Sequence, residues 1–220
     1  LDVMISKEEK PKDIGQLKFR YSDSFFLHSA CSYDHELAIM SLGLTMSAFT
    51  YKADGDKHAR KALNSIGCDD RTIESFRFDD QQSCADSCGY IIAAKKLPDD
   101  TFLIPVVIRS HCYGGEWVSN AHAVEEAYPD HAVGFKAAAD GVYDAVTDYL
   151  DRRGSDLGRV KLWLCGYSRG GAVTNLLGAR FTFESGIGKD NIFAYSFATP
   201  VTVFDRACLF TDNIFNIMSE

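Results

Sequence analysis

Five short apolar runs in the chain limit its architecture more than any other feature. They are GYIIAA (89–94), FLIPVVI (102–108), VKLWLC (160–165), IFAYSFAT (192–199) and NIFNIM (213–218). Their hydrophobicity is continuous rather than alternating, which predicts strands buried on both faces. Between the second and third runs, Phe135, Ala138, Val142, Ala145, Val146 and Tyr149 recur at helical spacing until Gly154. After the third, Ala172, Val173, Leu176 and Leu177 mark a second apolar helix face. Strands alternating with helices give the α/β class, with a mainly parallel sheet joined by right-handed crossovers.

The first part of the chain reads differently. Asp34 is placed to cap a helix whose Leu37, Met40, Leu44 and Ala48 share a face, and a second helix is expected over about 56–66, stopped by Gly67. Residues 69–86 carry six acids against two arginines with no clean period, which reads as a solvated connection. The expected organisation is a single domain over 1–220, with a helical layer at 1–88 and the core sheet at 89–220. No repeat or linker-like tract divides it.

Charge removes one class of function. Lys and Arg number 23 against 31 Asp and Glu, a net of −8, which argues against a surface built to bind nucleic acid. No run approaches the roughly 18 apolar residues that cross a bilayer. The seven cysteines, Cys31, Cys68, Cys84, Cys88, Cys112, Cys165 and Cys208, have no framework spacing. Only Cys84 and Cys88 lie close together, and no second Cys/His pair follows to complete a metal site, so no metal is expected. Scattered thiols suit a reducing compartment such as the cytoplasm, while the missing initiator Met leaves room for an excised export signal.

The chemistry centres on Gly166-Tyr167-Ser168-Arg169-Gly170-Gly171, a G-x-S-x-G set between a strand and a helix. In that context the pentapeptide forms a nucleophile elbow. The turn is so tight that the serine takes strained angles, and small residues on either side let strand and helix approach. Ser168 would then stand above the sheet edge at a helix N-terminus, whose N–H groups face an oxyanion. The alternative is that Ser168 merely caps the helix. A cap has no need of flanking glycines, which favours the nucleophile.

Several blocks together resemble the class 3 lipases, a branch of the α/β-hydrolases with fungal and bacterial members. VVIRSHCYGGEW (106–117) looks like the family's strand and Arg-Gly-Ser/Thr turn, with Arg109 and Trp117 keeping the family's interval. The helix around 133–146, the block LWLCGYSRGGAVTNLLG (162–178), FAYSFATPVTV (193–203) and NIFNIMS (213–219) follow in the family's order. The resemblance implies an α/β-hydrolase fold with helices on both faces of the sheet. It implies Ser168 as nucleophile, backbone N–H groups of Arg169 and His111 as the oxyanion hole, and a lid over 112–120. It also implies a lipid ester substrate, transient contact with a lipid surface and no cofactor. Tyr167, Arg169, Ser110 and His111 depart from the fungal pattern. The Arg169 side chain is read either as an outward group paired with an acid or as a contact for an anionic head group.

The activating base is missing from its usual place. In this fold the order is Ser, then acid, then His, yet His28, His35, His58, His111, His122 and His131 all precede Ser168. The resemblance implies that the acid and the His follow Glu220. His111 as a substitute base and Asp205 as the acid are secondary expectations. A thioesterase or acyltransferase on the same scaffold, or a binding module that lost its triad, are the alternatives to an esterase.

Overall fold

The computed structural model describes residues 2–6, 14–48, 55–78, 87–109, 133–200, 202 and 211–218. The apolar runs become strands close to their expected limits: β4 (Tyr90–Ile92), β6 (Phe102–Ile108), β7 (Val160–Tyr167), β8 (Ile192–Phe197) and β9 (Ile214–Ile217). With β3 (Glu74–Phe76) and the two-residue β5 (Lys95–Lys96) they form one sheet in the order β3-β4-β6-β7-β8-β9, β5 pairing with β6. The pairs β6–β7, β7–β8 and β8–β9 are parallel, and the pairs β3–β4, β4–β6 and β5–β6 are antiparallel.

Successive side chains of a strand point to opposite faces, and the central strands bury both sets. In β7, Trp163 and Cys165 enter one core while Leu162 and Leu164 enter the other; in β8, Phe193 and Tyr195 oppose Ile192 and Ala194. Because β6 through β9 follow one another across the sheet in one direction, crossovers of one hand put their helices on one side. Helices α3 (Val133–Arg152) and α4 (Arg169–Glu184) duly share that side, packing Val142, Val146, Val173 and Leu177 on it. Helices α1 (His35–Ser47) and α2 (Lys57–Ser65) cover the other.

Helix α1 starts where the sequence places it. The Asp34 carboxylate accepts from the Leu37 N–H at 3.0 Å, and Leu37, Met40, Leu44 and Ala48 are fully buried. A buried indole N–H needs an acceptor, and Trp163 Nε1 donates to Ser41 Oγ at 2.8 Å. The Asp34 N–H donates to the Tyr195 hydroxyl at 3.2 Å, tying the start of α1 to β8.

Two features of the N-terminal part differ from the sequence reading. The helical layer expected over 1–88 contains an antiparallel strand pair, β1 (Asp2–Ser6) with β2 (Ile14–Lys18). The acid-rich connection contains β3, whose three residues are all exposed. An edge strand makes one ladder and tolerates charge, which discourages pairing with other chains, so it shows no apolar signal. Its Glu74 meets Arg152 of α3 at 2.7 Å.

Candidate active site

A single residue separates β7 from α4, and that residue is Ser168. Its backbone sits at φ 52°, ψ −119°, outside the regions that residues with a Cβ ordinarily occupy. Such a conformation costs on the order of 1–3 kcal/mol and persists only where its surroundings enforce it. Here the Ser168 N–H donates to the Phe197 carbonyl of β8 at 2.8 Å, and the Ser168 carbonyl accepts from the Ala172 N–H at 3.0 Å. The half-buried side chain makes no capping hydrogen bond to α4. The capping alternative raised by the sequence is therefore absent from the structure.

The flanking glycines are required by close approach. A Cβ on Gly166 would run into the carbonyl group of Gly170, and a Cβ on Gly170 would stand 2.7 Å from the Ile108 carbonyl oxygen. Backbone cannot yield as a flexible side chain can, so the first turn of α4 reaches the ends of β6 and β7 only with hydrogen at both positions. Thr174 braces the same turn, its hydroxyl donating to the Gly170 carbonyl at 2.8 Å. Arg169 opens α4, so its N–H and those of the next residues point out of the helix end beside Ser168, where the helix dipole favours negative charge.

The Arg169 side chain corrects the sequence reading. It is only 2% exposed, with Nη2 donating to the Ser87 carbonyl at 3.4 Å and the guanidinium 5.5 Å from the Phe135 ring centroid. It is therefore neither outward nor laid out for a head group, because the first turn of α4 is covered by α3. Cys165, three residues before Ser168, is enclosed in the core, and burial pushes its thiol well above the ordinary range. A thiol kept neutral in this way is a poor nucleophile.

His28, His35 and His58 belong to the N-terminal part: His28 lies 3.9 Å from Asp34, His35 meets Tyr33, and His58 is in α2. The second oxyanion candidate His111, with Ser110, His122, His131, the lid segment 112–120 and Asp205, lies outside the described residues, as do Cys84, Cys112 and Cys208. Among the described residues no group of three or more His, Cys, Asp or Glu side chains is gathered to hold a metal, and no helix is long and apolar enough to cross a membrane.

Sequence reasoning missed the contribution of β8. The strand ends at Phe197, the acceptor for Ser168, and Ala198 follows at φ 46° with its N–H donating to the Ile217 carbonyl at 3.0 Å. Two adjacent parallel strands are thus each followed by a residue with positive φ. Only the elbow carries a glycine signature, so only the elbow was legible.

Several solved structures are similar to this chain in fold, three of them lipases. A triacylglycerol lipase whose catalytic centre is a serine protease triad matches with a TM-score of 0.56 at 18% identity, over 85% of this chain and 71% of that one. A fungal lipase complexed with an inhibitor matches with a TM-score of 0.53 at 17% identity, over 85% and 71%. The extracellular lipase of Serratia marcescens matches with a TM-score of 0.53 at 13% identity, over 86% of this chain and 41% of its own. The fold is that of the α/β-hydrolases. No protein-family model and no characterised protein sequence matches the chain.

Proposed function

We propose that the protein is a serine carboxylic-ester hydrolase acting on acylglycerol-type lipids through an acyl-enzyme on Ser168. The observation that carries this reading is a serine held at φ 52° between strand and helix, its hydroxyl not used to cap the helix it precedes. Support for the substrate class comes from the lipases among the fold neighbours together with the sequence resemblance.

In the proposed reaction Ser168 Oγ attacks the ester carbonyl carbon while its proton passes to a histidine base outside the described residues. The carbonyl oxygen becomes an oxyanion facing the Arg169 N–H and, in this proposal, that of His111. Collapse breaks the bond to the alcohol oxygen, which leaves with the proton from the base. Water then repeats the cycle on the acyl-enzyme, releasing the acid and restoring the serine hydroxyl. The chemistry needs no metal or organic cofactor.

Ser168→Ala is expected to abolish hydrolysis of p-nitrophenyl butyrate and of a triacylglycerol emulsion, together with labelling by a fluorophosphonate. Labelling at the wild-type rate would overturn the assignment. Turnover of the soluble ester without the emulsion would keep the nucleophile and move the substrate away from lipids.

A further inference from the structure

Arg109 stands where β6 ends beside the elbow, and its side chain is buried, 4% exposed. Nη1 donates to two carbonyls in succession, Arg77 at 2.7 Å and Phe78 at 3.1 Å, and the guanidinium lies 5.5 Å from the Phe78 ring centroid. The Arg109 N–H donates to the Gly89 carbonyl at 2.8 Å. Main chain and side chain together therefore tie this residue to both ends of the stretch between β3 and β4. Arg77, the closer acceptor, holds a left-handed φ of 57°, which a residue with a Cβ avoids unless its surroundings enforce it.

On its other side Arg109 meets the elbow. A Cβ on Gly170 would lie 2.7 Å from the Ile108 oxygen and 3.2 Å from the Arg109 oxygen, so the carbonyl end of β6 rests on the first turn of α4. Whatever sets the position of residues 108–109 sets the width of the gap at that helix end.

We infer that Arg109 is a positioning residue for the Ser168 reaction: its guanidinium, seated on the Arg77 and Phe78 carbonyls, fixes the end of β6 against α4. It thereby fixes the geometry in which an acyl group meets Ser168. The inference rests on the proposed role of Ser168 and extends it. The two N–H bonds of Nη1 are held in the guanidinium plane and so meet both carbonyls in one geometry, whereas an ammonium is a point donor on a flexible stem, so lysine is not an equivalent replacement. Misplacing reacting groups by about 1 Å costs on the order of 100-fold in rate.

Two variants test this with p-nitrophenyl butyrate. Arg109→Lys removes the planar Nη1 donor. Gly89→Ala keeps the arginine but places a Cβ 3.1 Å from Arg109 Cδ and 3.1 Å from the Arg77 oxygen, crowding the side chain in its seat. Both are expected to lower kcat by about 10- to 100-fold with KM changed by less than about 3-fold, and to slow fluorophosphonate labelling of Ser168 by the same factor as kcat/KM. Adding guanidinium at millimolar concentration to Arg109→Ala is expected to restore part of kcat. A folded variant with kcat within about 2-fold of wild type, or a loss confined to KM, overturns the inference. So does failure of both variants to fold, which would make the contact structural only. If Ser168→Ala is inactive while Arg109→Lys runs at the wild-type rate, only the positioning role falls. If Ser168→Ala remains active, the nucleophile falls and the inference with it.

Discussion

The two faces of the sheet are joined to their helices by different means. On the α1 and α2 side the spacing is set by side chains: Trp163 reaches Ser41, the Tyr195 hydroxyl accepts from Asp34, and Lys95 bridges Asp23 at 2.5 Å and the Ile66 carbonyl at 2.6 Å. On the other side α4 meets the sheet backbone to backbone at Gly166 and Gly170, and a Cβ on Gly178 would stand 3.1 Å from that of Ala194. A side-chain bridge can be lost with local damage, whereas a backbone contact admits no extra atom. The face that carries Ser168 is therefore the one with the least room to vary.

Breaking this contrast starts at the elbow. Gly166→Ala drives a methyl group into the Gly170 carbonyl, and overpacking of this kind costs about 1–3 kcal/mol or more. Urea denaturation should show a loss at the upper end of that range, and ester hydrolysis should fall by at least about 100-fold because Ser168 moves with the turn.

On the opposite face Ser41→Ala leaves the Trp163 N–H buried without its acceptor, an expected cost of about 1–3 kcal/mol. Here kcat should stay within about 2-fold of wild type. Equal activity losses for the two variants would erase the distinction between the faces.

The smallest effect concerns pH. Burial pushes the Cys68 thiol, in the core under α1 and α2, up to about 12. The unfolded thiol ionises near about 8.5 while the folded one keeps its proton, so the unfolded state binds fewer protons as pH rises and stability falls. Between pH 8 and 9.5, Cys68→Ala should lose about 1 kcal/mol less stability than the wild-type chain in urea titrations. Identical losses would mean that this thiol is not shielded.

Much of this arrangement was legible in the residues themselves. The runs at 102–108 and 160–165 announce central strands because both faces are buried, and Asp34 announces a helix start because its carboxylate answers a bare N–H. Gly166 and Gly170 announce the elbow because nothing larger fits. The edge strand at Glu74 was hidden because one ladder and exposed side chains leave no periodic trace. The fate of the Arg169 side chain was hidden because Phe135, distant in sequence, decides it. The seat of the Arg109 guanidinium was hidden for the same reason: carbonyl acceptors have no sequence signature.

Trp163, wedged 5.1 Å from the Phe26 ring and bonded to Ser41, shares the chain with only one other tryptophan, Trp117. With Trp117 replaced by Phe, tryptophan emission would come from one indole sealed between helix and sheet on the side away from Ser168's helix. Its colour would then follow the opening of that layer to water, an optical gauge of folding separable from chemistry at the serine.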